Sequence, residues 1–75
     1  MRKSKPPQFV VCVKNEGCED LESRKLYKTL PDEDAAVDGY LRVIDESGED
    51  YLYPQDFFVP VELSQSAEEA LLSAA

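Results

Sequence analysis

Gly39-Tyr-Leu-Arg-Val-Ile-Asp-Glu-Ser-Gly-Glu-Asp-Tyr-Leu-Tyr-Pro-Gln-Asp-Phe-Phe-Val-Pro-Val-Glu62 is the stretch whose order of features decides the architecture. Leu41 and Val43 alternate with Tyr40, Arg42 and Ile44, a period of two that places the first pair on the inward face of a strand and Tyr40 on the outward one. Asp45-Glu46-Ser47-Gly48 interrupts with polar residues and a glycine able to take positive φ, and Tyr51-Leu52-Tyr53 then resumes a β-favouring run. A hairpin is predicted. Pro54 cannot donate to a ladder and closes the second strand, Pro54-Gln55-Asp56-Phe57 reads as a turn or single helical turn, and Val59-Pro60-Val61 extends again.

This order resembles the second half of a Src homology 3 domain, in which a Gly-aromatic start, a distal hairpin, a Pro-led single turn ending in an aromatic, and a short last strand follow one another. The resemblance extends upstream. Phe9 to Val13 matches that family's opening strand, Lys14 to Asp20 its acidic loop, and Leu21 to Leu30 its next strand. It implies an all-β fold, a small five-stranded Src homology 3-like barrel over residues 9–63 with a single-turn helix near 55–57. The run Arg42 to Pro54 also resembles one carried by small bacterial proteins, a likeness that brings no activity with it.

Three further segments follow from local chemistry. Pro31 to Gly39, with its acids and Ala pair, suggests one helical turn ending at the glycine. Residues 64–75 favour a short helix, with Ser66 and Glu69 in capping-box spacing, that is too short to stand alone and has Leu71 and Leu72 to tie it down or else frays. Met1 to Gln8, a basic cluster followed by Pro6-Pro7, reads as an extended flexible tail.

At 75 residues the chain can bury about 60% of the surface it exposes unfolded, enough for one core and too little for a large internal active site. No apolar run approaches the ~18 residues that span a bilayer, and Met1 to Gln8 lacks the apolar centre of a signal peptide, so a cytoplasmic protein is expected. Charge narrows the partners. The net charge is −8, and from residue 9 onward five bases face all 16 acids, a balance of −11 that repels phosphate backbones and anionic membranes. Direct nucleic-acid or membrane binding is not expected. The partner class left is a basic or neutral protein or peptide, and the same charge also keeps a small β-protein soluble and blunts its edges.

Catalytic and metal chemistry find little support. There is no His, and no Ser, Thr or Cys stands beside a base in a nucleophile motif. Acid pairs such as Asp32 with Asp34 and Glu49 with Asp50 sit in polar turns, where carboxylates are usually solvated, and they lack the twelve-residue register of a calcium loop. Cys12 and Cys18 cannot fill a four-ligand zinc site. Cys12 is expected to pack as a small hydrophobe within Val10 to Val13, and Cys18 to lie beside Glu16, Glu19 and Asp20, which disfavour a thiolate. No catalytic residue, metal site or cofactor is predicted.

Recognition is the remaining chemistry. By position in the resemblance, Tyr40, Pro54 and Phe57 match the aromatic and proline residues of the family's peptide groove, and Glu16, Glu19, Asp20 and Glu22 match the acidic loop that pairs a ligand Arg or Lys. The chain departs from that pattern. Cys12-Val13-Lys14-Asn15-Glu16 supplies neither of the family's first-strand tyrosines, Tyr40 replaces a Trp, and Phe57 lacks a hydroxyl, so binding of proline-rich ligands is disfavoured relative to another use of the same surface. The leading expectation is a non-catalytic protein-protein interaction module. Two alternatives stand beside it: an acidic mimic of nucleic acid that blocks a basic nucleic-acid-binding protein, and a regulatory small protein whose Leu-Leu-Ser-Ala-Ala end serves as a turnover signal.

Overall fold

The protein, described here from a computed structural model over residues 9–73, is built around the hairpin that its sequence announces. β3 (Tyr40–Ile44) and β4 (Asp50–Pro54) pair antiparallel, Tyr40 opposite Pro54 and Ile44 opposite Asp50. The turn between them is closed by the Asp45 N–H donating to the Glu49 carbonyl and the Gly48 N–H donating to the Asp45 carbonyl, with Gly48 at φ 85°. Only a residue without a Cβ takes that φ cheaply. The expected basic tail at residues 1–8 lies outside the described residues, as do 74 and 75.

β1 (Phe9–Cys12), β2 (Leu26–Leu30) and β5 (Phe58–Val61) complete one five-stranded antiparallel sheet in the order β4-β3-β2-β1-β5. β2 serves two neighbours with different halves: residues 26–28 pair with β1, and residues 29 and 30 with β3. The fold is therefore all-β and five-stranded, with the single helical turn at Gln55–Phe57 as the sequence predicts. β4 and β5 are its two edges, and no ladder joins them among the described residues.

Two helices flank the sheet. α1 (Glu33–Val37) is the turn expected before Gly39. Asp32 caps it by accepting from the Ala35 N–H at 3.0 Å and holds the Arg42 guanidinium at 2.8 Å with its other oxygen. Arg42 in turn reaches Asp50 at 3.0 Å, so one cation joins the α1 cap, β3 and β4. α2 (Gln65–Ser73) begins two residues earlier than the Ser66–Glu69 spacing suggests. Ser64 is the cap, its Oγ accepting from the Ala67 N–H, and the i, i+4 pair Gln65–Glu69 lies on the outside. Leu71 and Leu72 do not tie the helix down: both are exposed, and no residue of α2 is buried.

The core is Val10, Cys12, Leu21, Tyr27, Val43 and Phe58, with Cys18, Leu41, Tyr53 and Phe57 packed against it. Leu41 and Val43 are thus inward, as their period predicts. The strand expected from Leu21 starts only at Leu26. Arg24 takes a left-handed φ of 71° so that its N–H can donate to the Cys12 carbonyl at 2.7 Å, and that conformation ends any extended run through the segment.

Candidate functional site

The two ends of the β3–β4 hairpin hold the molecule's side-chain chemistry. At the tip, beside the turn, Asp45 is 5% exposed and fully engaged. Its Oδ1 accepts from the N–H and the hydroxyl of Ser47, and its Oδ2 accepts from the Tyr53 hydroxyl at 2.5 Å. Burial would raise this carboxyl, and the Ser47 and Tyr53 hydrogen bonds outweigh it and hold it below the usual carboxylate range.

Next to it, Glu46 takes a 2.6 Å ion pair from Lys25 and a 2.7 Å hydrogen bond from the Tyr27 hydroxyl, which keep it ionised. The Tyr27 oxygen itself accepts from the Glu22 N–H, and the Glu46 N–H donates to the Asp20 carbonyl. Burial, together with a hydrogen bond to a carboxylate, pushes both Tyr27 and Tyr53 far above the ordinary tyrosine range. Among the described residues no buried side-chain nitrogen or oxygen lacks a hydrogen-bond partner. Sequence reasoning read Asp45 and Glu46 only as part of a polar break between two strands and passed over Tyr27. The usable signal is a pair of tyrosines flanking an Asp-containing turn, since buried hydroxyls need acceptors.

At the base of the hairpin the arrangement is the reverse. Tyr40 is 42% exposed, Pro54 half-buried beside it as its cross-strand partner, and Val37 at the end of α1 is 85% exposed. The 3-10 turn is pinned here by backbone: the Gln55 N–H donates to the Gly39 carbonyl at 2.9 Å, and the Gln55 side chain to the Ala36 carbonyl at 3.3 Å. The Tyr40 hydroxyl makes no hydrogen bond among the described residues. Tyr51, at 49%, is more exposed than Tyr40, the ring expected to face outward, although its cross-strand partner Val43 is buried.

Phe57 follows one helical turn after Pro54 but packs partly into the core against Phe58, with ring centroids 6.5 Å apart. Its carbonyl accepts from the N–H groups of Val13 and Lys14, which fixes the start of the acidic loop beside the 3-10 turn. Glu16, Glu19, Asp20 and Glu22 are all exposed on that loop. The structure brings Tyr40, Pro54 and the 3-10 turn together. It anchors Asp20 and Glu22 at the tip, a strand length of about 13 Å away at 3.3 Å per residue. An open hollow of about 430 Å³ lies on the other side of the 3-10 turn, lined by Leu41, Gln55, Asp56, Phe58 and Pro60.

Among the described residues no group of three or more His, Cys, Asp or Glu side chains could hold a metal ion, and no helix is long and apolar enough to cross a membrane. Cys12 is buried as expected, and burial raises its thiol pKa. Cys18 lies in the acidic loop as expected and is also packed against the core. The chain matches no protein-family model, no curated protein and no solved structure.

Proposed function

We infer that this protein is a non-catalytic interaction module of the Src homology 3-like kind, using the surface around Tyr40, Pro54 and Phe57 to hold a basic protein partner. The observation that carries this reading is the base of the hairpin. Tyr40 and Val37 stay exposed on a frame of backbone hydrogen bonds, while the Asp45 and Glu46 carboxylates and the Tyr27 and Tyr53 hydroxyls at the tip are bonded within the chain. An apolar ring with an unused hydroxyl is the type of side chain that anchors interfaces. The surrounding charge of −11 selects basic partners and speeds their arrival.

The nucleic-acid mimic has less support. Asp32, Asp45, Glu46 and Asp50 are bound to the protein's own donors and are removed from any phosphate-like array. The turnover reading concerns an end that lies partly outside the described residues.

The test uses the full chain as bait in cell lysate at low and moderate salt, beside a Tyr40→Ser, Val37→Ser variant whose circular dichroism and melting match the parent. A protein retained by the parent at moderate salt and lost by the variant supports the module. Retention of the same basic proteins by both, with release by salt alone, overturns it.

A further inference from the structure

The sheet has two edges, and their hydrogen-bond phase distinguishes them. In the β1–β5 ladder the Val13 N–H donates to the Phe57 carbonyl, so Val59 and Val61 face β1, and Phe58 and Pro60 turn their backbone outward. The outward position at the middle of β5 is therefore a proline, which has no N–H to offer. That edge is blunted in the usual way.

In the β3–β4 ladder the Asp45 N–H donates to Glu49 and the Gln55 N–H donates to Gly39, so residues 51 and 53 face β3, and Asp50, Leu52 and Pro54 point outward. Pro54 closes one end, but Leu52 presents both an N–H and a C=O at the centre of the edge, and Asp50 presents the same pair one step along. Neither residue's backbone has an outward partner among the described residues. The Leu52 side chain beside them is 45% exposed.

We propose that the open edge of β4, from Asp50 to Pro54, accepts an extended strand of a basic partner as the sixth strand of the sheet. This rests on the interaction-module reading and specifies how that partner is held: Tyr40 and Pro54 lie on the face flanking the same edge. Charge decides the occupant. A second copy pairing antiparallel and centred on Leu52 would set two chains of net charge −8 edge to edge, with each Asp50 opposite a Pro54 that has no N–H to offer, so a hydrogen bond is forfeited at each end. A strand carrying Lys or Arg instead meets a chain of net negative charge with the exposed Glu49 beside the edge, while Asp50 keeps its pair with Arg42.

The experiment titrates the whole protein with a synthetic peptide of alternating Lys and Val, six residues long, and with the same peptide N-methylated at every second residue in each phase. Amide exchange and chemical shifts are followed by NMR. The expected result is selective protection of the Asp50 and Leu52 amides and, for one methylation phase only, a loss of affinity of about tenfold. Leu52→Pro gives the matching loss from the protein side and leaves the β3 ladder intact, because that N–H does not point into it. If Leu52→Pro does not fold, the N-methylated peptides still decide.

Peptide shifts confined to Tyr40, Val37 and Phe57, with both methylation phases neutral, overturn the strand and leave the module standing. Absence of binding by any of these peptides overturns the strand, and the module is then judged separately by the lysate test. Protection of the Leu52 amide that grows with protein concentration alone, alongside dimer in sedimentation, would assign the edge to a second copy and overturn the basic partner.

Discussion

The two ends of one hairpin use the same residue types in opposite ways. At the tip, tyrosine and carboxylate meet inside the protein: Tyr53 with Asp45, Tyr27 with Glu46, and Ser47 and Lys25 filling the remaining positions. At the base, Tyr40 has no carboxylate and faces solvent next to Val37 and Pro54. A buried polar group must be bonded or it costs free energy, whereas an exposed one is free to bond something else. The tip should therefore control stability and the base should control recognition.

The largest effect is expected at Asp45. Asp45→Ala leaves the Tyr53 hydroxyl and the Ser47 N–H without their shared acceptor in a buried corner, which should cost about 2–3 kcal/mol in denaturant unfolding and lower Tm by on the order of 10–20 °C in a domain this small. A loss under about 0.5 kcal/mol would show that the corner is not holding the fold. The hydroxyls come next. Tyr53→Phe and Tyr27→Phe should each cost about 1 kcal/mol; in the second variant Lys25 still pairs Glu46, while the Glu22 N–H loses its acceptor.

pH gives a reading without mutation. Asp45 and Glu46 are held below their ordinary values in the folded state, so they contribute stability that is present above the unfolded range and is lost as pH falls through the folded values. Tm should be level between about pH 7 and 5 and fall below about pH 4, and less so in Asp45→Ala. Tyr27 and Tyr53 are raised, so their contribution is complete below about pH 10 and is lost as pH climbs further. In an ultraviolet titration, these two tyrosines should ionise only as the chain unfolds. Early and reversible ionisation of all four tyrosines would contradict the buried corner.

How much of this was legible depended on how local the determinants are. The hairpin, the single helical turn after Pro54 and the turn before Gly39 could be read because period-two alternation, proline and glycine act within a few residues. The inward placement of Leu41 and Val43 followed from the same rule. The start of β2 was not legible, since the left-handed Arg24 is set by a hydrogen bond to Cys12, twelve residues earlier. The engagement of Asp45 and Glu46 depends on Tyr27 and Tyr53 arriving from β2 and β4, which no pattern within the turn records. Of the proposed binding residues, Tyr40 and Pro54 came from the resemblance, and the register of the hairpin sets them opposite each other. The anchoring of Asp20 and Glu22 at the opposite end was not legible, because it is made by loop backbone.

The smallest expected effect on stability is the most informative about function. Tyr40→Ser removes a ring that is 42% exposed, lies outside the core and makes no hydrogen bond among the described residues, so stability should change by no more than about 0.5 kcal/mol. A loss near 1 kcal/mol would mean that the ring packs on Pro54 and Arg42 as part of the sheet, and the contrast between the two ends would dissolve. A neutral Tyr40→Ser that also abolishes partner retention would place the ring's value entirely outside its own chain. Phe57 cannot make this distinction, because its ring touches the core and any loss of binding would be mixed with unfolding.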